Sequence, residues 1–291
     1  LTPLYFPIFF KKPNYLIMEN LTIAFVGSGN IASSMIGGLI TNGINPEKLI
    51  AADSDKTQQQ LIADKYGIRV YDKNYEAAKE ADVIIFAVKP QIMQQVVEEI
   101  SKNIEIENKL ILSVAAGIKL CSIEDWLGQA AAIVRVMPNM PALIQAGASA
   151  LYANSVTQDK QKNAAETIMR SVGVAIWLDS EEQMDAVTAL SGSGPAYFFY
   201  FMELIENHAI EMGLNKEDAK LLTIETALGA AKMALLSSFD LKTLRKQVTS
   251  IGGTTEKALN IFMKGKLNEL VSNAMDAAKK RSIELSKSFK D

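Results

Sequence analysis

A glycine-rich turn after a short apolar run places the strongest constraint on this chain. Leu21 to Val26 is apolar and β-branched enough to form one buried parallel strand. Gly27, Gly29 and Ala32 follow in the spacing G-x-G-x-x-G/A, and a helical pattern continues after them. In this arrangement Gly27 permits a tight turn, Gly29 lets the backbone approach a pyrophosphate, and Ala32 lets the helix pack close to the strand. The stretch therefore predicts a helix N-terminus whose free N–H groups bind an anion.

The residues that follow favour dinucleotide binding over a simple strand-to-helix connection. A single G-x-G-x-x-G/A match is weak evidence by itself. Here a second apolar run, Leu49 to Ala52, ends at Asp53, in the region about 20 residues downstream where an acidic residue meets a ribose hydroxyl. Asp53 would repel a 2′-phosphate and suits NADH, whereas Ser54 and Lys56 are placed to hold that phosphate. On these residues alone, both dinucleotides stay open.

Composition excludes several functional classes. The 291 residues suffice for one large or two moderate domains, and the net charge of −3 gives no footprint for nucleic acid. Cys121 has no partner for an internal disulfide, which fits a reducing compartment and predicts a cytoplasmic protein. One cysteine and one histidine, His208, also argue against a zinc or other metal site. No apolar run is long enough to cross a membrane.

Residues 1–17 differ from the rest and are interpreted as an N-terminal extension or a misplaced start. Prolines interrupt their apolar part, the lysines come after it, and no small-residue cleavage site is visible. This order is the reverse of a signal peptide, in which the positive region comes first.

Strand and helix patterns alternate from Leu21 to about Asn139, and two further strand candidates, Ala148–Tyr152 and Val174–Leu178, extend the series. Such alternation predicts an α/β fold with a parallel sheet and helices on both faces. We assign residues 18–182 to this Rossmann-type dinucleotide-binding domain. The carboxyl ends of its strands, where ligands bind, carry small or polar residues; they are Gly27 to Asn30, Asp53 and Ser54, Ala87 to Pro90, Ala115 to Gly117, and Pro138 and Asn139.

From Gln183 onward the strand signals stop, and residues 183–291 are predicted to form an all-α domain. The helical period predicts six helices there: Met184–Leu190, Pro195–Met212, Lys216–Leu236, Leu241–Val248, Thr255–Met263 and Leu267–Ser286.

Two glycine-bearing junctions in the helical domain are candidate anion sites. One is Ser191 to Pro195, and the other is Thr249 to Thr255, which leads directly into a helix. A glycine loop rich in serine and threonine at a helix N-terminus presents backbone and hydroxyl donors to an anion. Alternatively, Thr254 or Thr255 simply caps the helix. Two such loops beside a cofactor domain favour binding of a substrate carboxylate.

Five segments together resemble the signatures of pyrroline-5-carboxylate reductase. Two of them are DAVTALSGSGPAYFF at Asp185 to Phe199 and LRKQVTSIGGTTEKAL at Leu244 to Leu259. The others are AVKP, SVAAGI and RVMPNMP, which occur in the family's order between Ala87 and Pro141. Ile251 departs from the family, which usually has proline there.

The resemblance implies reduction of 1-pyrroline-5-carboxylate to L-proline with NAD(P)H, in the family most often NADPH, with NADH as the alternative. It implies that Ser250, Gly252, Gly253 and Thr254 hold the substrate carboxylate and that Thr255 bonds the ring nitrogen. It also implies homodimers formed through the C-terminal helical domain, in some members assembled into larger rings. The implied cofactor residues are Ser28, Gly29, Asn30, Ile31, Ala32, Asn74, Ala87, Val88, Lys89, Pro90, Ala115, Ala116 and Gly117.

Two other functions remain as alternatives. A β-hydroxyacid dehydrogenase also joins a dinucleotide domain to a helical one, but it needs a lysine early in the first long helix of the second domain. Pro195 to Glu203 contains none. A non-catalytic dinucleotide sensor would leave the second anion loop without a purpose. Reduction of a basic cyclic imine, by contrast, needs no strong general base, so His208 is interpreted as structural and Lys89 as a structural or cofactor residue.

Overall fold

The computed structural model describes residues 15–18 and 20–288. Its contacts divide the described chain into two compact units. Among the described residues, one unit contains the chain from residue 15 to Ser193 together with the segment from Ala278 to residue 288, and the other runs from Gly194 to Ala277. The boundary placed at residue 183 from the sequence stays a prediction.

The first unit is built on one sheet of eight strands, in the order β3-β2-β1-β4-β5-β6-β7-β8. Neighbouring strands are parallel from β3 to β6, as predicted, and β7 pairs with β8 in parallel as well. The strands are β1 Ile23–Val26, β2 Leu49–Ala52, β3 Arg69–Tyr71, β4 Val83–Phe86, β5 Leu110–Ser113, β6 Ala132–Met137, β7 Gly147–Ala153 and β8 Gly173–Trp177.

Only the pairing of β6 with β7 is antiparallel in this sheet as described. A parallel pair needs a crossover long enough for a helix, and here the connection holds just a short 3₁₀ helix, Met140–Ile144. The sequence pattern predicted that β7 and β8 extend the sheet, but it did not predict this change of direction.

Helices cover both faces of the sheet, which explains why the central strands are apolar throughout. All residues of β1, β2, β4 and β5 are buried. One hydrophobic cluster includes Phe25 with Leu39 and Ile168, and a second cluster includes Phe86 with Val97. The helices of this unit are α1 Asn30–Thr41, α2 Lys56–Tyr66, α3 Asn74–Glu80, α4 Pro90–Asn103, α5 Leu120–Leu127, α6 Asp159–Arg170 and α7 Gln183–Val187.

The second unit is helical. No strand follows Trp177 within the described residues, which confirms the prediction from the sequence. Many large apolar side chains of these helices, such as Phe198, Leu236 and Met263, are exposed in the single chain. None of the helices that the structure describes is long and apolar enough to span a bilayer. The helices are α8 Gly194–Glu211, α9 Lys216–Leu236, α10 Leu241–Gln247, α11 Thr254–Lys264 and α12 Leu267–Lys287, the last of which runs on into the first unit.

Candidate active site

The turn between β1 and α1 has the geometry that its glycines predict. Gly27 adopts a φ of +90°, and a Cβ atom there would lie 2.9 Å from the carbonyl carbon of Ala87, at the end of β4. Gly29 is the N-cap of α1, and a Cβ there would meet no atom within 4 Å. Glycine is therefore required at position 27 by its positive φ and by the close approach of Ala87. Gly29, which has no side chain, leaves the space beside the start of α1 open.

The N-terminus of α1 is free to receive an anion. Gly29 supplies no side-chain cap, so the first N–H groups of the helix keep their hydrogen-bonding capacity. The positive end of the helix dipole lies at the same place, which favours a phosphate group. Ala32 is fully buried and lets α1 pack close to the sheet. These residues fit the pyrophosphate of a dinucleotide.

A cleft of about 760 Å³ opens beside this turn, at the carboxyl ends of β1, β2 and β4. It brings together nine of the predicted cofactor residues: Gly27, Ser28, Gly29, Asp53, Ser54, Asn74, Ala87, Val88 and Lys89. The other predicted cofactor residues do not line it: Asn30, Ile31, Ala32, Pro90, Ala115, Ala116 and Gly117. Their assignment stays a prediction.

Asp53 links β2 to the glycine turn. Its Oδ2 accepts hydrogen bonds from both the N–H and the hydroxyl of Ser28, each at 2.8 Å. Its Oδ1 accepts from the N–H of Asp55 at 3.0 Å. A carboxylate offers about four acceptor positions, so Asp53 retains capacity for a ribose hydroxyl. Its negative charge opposes a phosphate at the same place.

Seven residues that line this cleft were not predicted from the sequence: Asp55, Asp72, Lys73, Ile92, Gln95, Val96 and Glu99. Glu99 of α4 accepts a hydrogen bond from the Asn74 amide, with Nδ2 and Oε2 3.1 Å apart. A signal was present in the spacing of Gln95 and Glu99, which lie one helical turn apart on α4. Asp72, which also lines the cleft, accepts a side-chain hydrogen bond from Lys56, and this bond lowers the pKa of the Asp72 carboxyl.

A buried ion pair lies beside the loop that contains Ala115 to Gly117. Arg135 of β6 is almost fully buried and donates from Nη1 to Glu181 Oε1 at 2.7 Å. The same oxygen accepts from the N–H of Leu120, the first residue of α5, at 2.9 Å. Glu181 therefore fixes the end of the loop between β5 and α5, a role that the sequence did not reveal.

The junction that contains Ser191 begins as a π-helix. The helix predicted over Met184–Leu190 ends as α7 at Val187, and Thr188–Gly192 continue with π-type turns. Asn139 holds this segment, since its Nδ2 donates to the carbonyl of Ser191 at 3.1 Å. Single-turn π segments occur often at functional sites. We therefore include the junction from Ser191 to Pro195 in the candidate site.

The second glycine loop lies in the helical unit and ends in α11. Gly252 has a φ of +74°, Gly253 is the N-cap, and no side chain caps the helix. Thr254 and Thr255 thus do not act as caps, which removes the simpler interpretation of these residues. Within the described chain, the N–H of Gly252 donates to Glu256 Oε2 at 2.9 Å. The loop presents donors to a carboxylate, as an anion site requires.

Comparisons with known proteins agree with both parts of this description. Residues 181–285 match a domain family described as "Pyrroline-5-carboxylate reductase dimerisation". Residues 22–117 match the family "NADP oxidoreductase coenzyme F420-dependent". Over 268 residues the chain is 46% identical to the pyrroline-5-carboxylate reductase of Pseudomonas aeruginosa, an alignment that covers 92% of this chain and 98% of the relative. The chain belongs to the pyrroline-5-carboxylate reductase family.

Solved structures of pyrroline-5-carboxylate reductases share the whole fold. The enzyme from Coxiella burnetii is 43% identical and superposes with a TM-score of 0.87, covering 91% of this chain and 98% of its own. The enzyme from Plasmodium falciparum, solved with NADP bound, is 29% identical with a TM-score of 0.82 and coverage of 92% and 99%. These findings confirm the predicted fold class, and they do not favour a β-hydroxyacid dehydrogenase or a sensor.

Proposed function

We propose that this protein reduces 1-pyrroline-5-carboxylate to L-proline with NAD(P)H, the last step of proline biosynthesis. The observation that carries the proposal is the 46% identity to a pyrroline-5-carboxylate reductase over nearly the full length of both chains. The uncapped N-terminus of α1 and the uncapped N-terminus of α11 support it, because the reaction involves two anionic molecules.

Different residues of the cofactor site would bind different parts of the dinucleotide. The N–H groups at the start of α1 would hold the pyrophosphate, and Asp53 with Ser54 would contact the adenosine ribose. When bound, the nicotinamide supplies the hydride. The family favours NADPH as the cofactor, although Asp53 places a negative charge near the position of a 2′-phosphate.

The substrate carboxylate is assigned to Ser250, Gly252, Gly253 and Thr254. The N–H groups of Gly252 and Thr254 and the hydroxyl groups of Ser250 and Thr254 offer donors at the positive end of α11. Gly253 shapes the loop by donating its N–H to the carbonyl of Ser250. Within the described residues, no hydrogen bond occupies the hydroxyl groups of Ser250, Thr254 or Thr255. We assign the ring nitrogen to the hydroxyl of Thr255.

This chemistry needs no strong base. A cyclic imine is basic enough to be protonated before reduction, so the protein has mainly to hold the reactants in position. The position of the single histidine is consistent with this chemistry, because it lies outside the proposed site. His208 is exposed on α8, and its Nδ1 lies 2.8 Å from Glu211 Oε2.

We further propose that the protein forms a homodimer and that it is located in the cytoplasm. The matched dimerisation family covers the helical unit, where Phe198 and Leu236 are exposed in one chain and would be covered in a homodimer. A ring of dimers would extend the same assembly. The single cysteine favours a reducing compartment, and we place the protein in the cytoplasm.

Oxidation of NADPH and NADH by the purified protein tests the function. We expect oxidation of NAD(P)H with 1-pyrroline-5-carboxylate. In the reverse direction, we expect no reduction of NADP+ or NAD+ with 3-hydroxy (β-hydroxy) acids. Activity with the hydroxy acids alone would favour the dehydrogenase alternative. Cofactor binding without turnover of any substrate would favour the sensor.

A further inference from the structure

Glu256 supplies a carboxylate to the glycine loop from within the same chain. Glu256 is the third residue of α11, and its Oε2 accepts the N–H of Gly252 at 2.9 Å. A glutamate at this helix position usually bonds the N–H of the N-cap residue itself. Here the N-cap is Gly253, and the bond extends one residue further into the loop.

The N–H of Gly252 is a donor that a ligand would need. The other glycine N–H of the loop, from Gly253, already donates to the carbonyl of Ser250 at 3.0 Å. Of the two glycines, Gly252 is thus the one whose N–H points to an exchangeable acceptor. That acceptor is now a carboxylate, the same chemical group that the substrate presents.

We propose that Glu256 is a displaceable internal ligand of the substrate-carboxylate site. This inference rests on the proposed function of the loop. The Glu256 side chain satisfies Gly252 when the site is empty, and a substrate carboxylate takes its place on binding. Because the site must first release Glu256, the apparent affinity for every carboxylate ligand is reduced. Glu256 therefore sets the KM for the substrate and takes no part in hydride transfer.

Two substitutions separate the contact from the charge. Glu256→Gln keeps the length of the side chain but replaces a charged acceptor with a weaker neutral one. Glu256→Asp keeps the charge but shortens the side chain by one methylene, so that its carboxylate no longer reaches Gly252. We expect Glu256→Gln to lower the KM for 1-pyrroline-5-carboxylate about fivefold, the difference between a charged and a neutral hydrogen bond. Glu256→Asp, which loses the bond to Gly252 altogether, should lower this KM by at least the same factor. The kcat and the KM for NADPH should stay within about twofold of the wild-type values.

Binding of L-proline, measured by calorimetry, gives a second reading that does not depend on turnover. In each variant, binding of L-proline should tighten by the factor by which the KM for 1-pyrroline-5-carboxylate falls. Glu217→Gln is the matched control, because Glu217 lies in the first turn of α9 and should leave both quantities unchanged.

A KM that is unchanged or raised in Glu256→Gln would overturn the proposal. So would a wild-type KM in Glu256→Asp beside a lowered KM in Glu256→Gln, because only the charge would then matter. A wild-type protein that does not reduce 1-pyrroline-5-carboxylate at all would instead refute the proposed function.

Discussion

Ser28 donates both its N–H and its hydroxyl to one oxygen of Asp53, at 2.8 Å in each case. The acidic residue at the end of β2 is therefore part of the glycine turn's support as well as a candidate ligand of the ribose. A neutral substitution of Asp53 that removes its bonds to Ser28 will therefore loosen the turn and reduce the negative charge of the cleft together.

We predict that Asp53→Ser shifts cofactor preference toward NADPH. Loss of the hydrogen bonds to Ser28 loosens the turn and raises the KM for both cofactors, but only NADPH gains from removal of the negative charge. The ratio of the KM for NADH to the KM for NADPH should rise about tenfold, equivalent to about 1.4 kcal/mol.

Steady-state kinetics with each cofactor measures this ratio. Asp64→Asn is the control, since Asp64 is an exposed residue of α2 whose only side-chain bond in the described chain is to Gln60. An unchanged ratio in Asp53→Ser would show that Asp53 does not discriminate between the cofactors.

Gly27→Ala should abolish cofactor binding and destabilise the first unit. The new methyl group would lie 2.9 Å from backbone atoms of Ala87, and the φ of +90° is unfavourable for alanine. We expect the free energy of unfolding to fall by about 2–3 kcal/mol.

Gly43→Ala is a close control for this effect. Gly43 has a φ of +93°, but a Cβ there meets no atom within 4 Å. Its loss of stability should be limited to the backbone strain of about 1–2 kcal/mol, with NADPH affinity retained. Thermal unfolding and NADPH fluorescence titration measure both effects. Equal losses in the two variants would mean that crowding at Ala87 has no role.

Breaking the ion pair between Arg135 and Glu181 by removing one partner should strongly lower the free energy of unfolding. Arg135→Met leaves the Glu181 carboxylate in a largely buried position, where the N–H of Leu120 is its one remaining hydrogen-bond partner among the described residues. We expect a loss of about 3 kcal/mol, because a buried charge is left uncompensated. Thermal unfolding should show a midpoint lower by about 6–12 °C.

Arg281→Met provides the comparison with an exposed pair. Arg281 bonds Glu284 on the surface of α12, and both side chains are largely solvent-exposed. Removal of such a pair costs about 0.5 kcal/mol or less. If the two arginine variants unfold at the same temperature, burial does not strengthen the Arg135 pair.

Most of the fold could be predicted from sequence because its signals are local. The bounds of α2, Lys56–Tyr66, follow from apolar spacing and from Gly67, which ends the helix at a φ of +66°. The nine predicted cofactor residues that line the cleft all lie at strand ends, or were implied by the family resemblance, as for Asn74. Local pattern and strand order suffice for such positions.

The missed features depend on partners distant in sequence. Glu181 binds Arg135, which precedes it by 46 residues, and Glu99 binds Asn74 across 25 residues. No spacing rule connects such pairs in a single sequence. The antiparallel β7 was missed for a related reason: its orientation depends on how the chain turns after β6.

Thr254 and Thr255 should affect different kinetic constants although they are neighbours at the start of α11. Thr255→Ala removes the hydroxyl assigned to the ring nitrogen, where charge changes during reduction, so kcat should fall about 10- to 100-fold. Thr254→Ala removes a donor to the carboxylate, which is charged throughout, and should mainly raise the KM. Thr255→Ser restores the hydroxyl and should recover most of the turnover. Undiminished kcat in Thr255→Ala would remove the proposed role of that hydroxyl, whereas failure of serine to rescue would assign the defect to lost packing of the threonine methyl group.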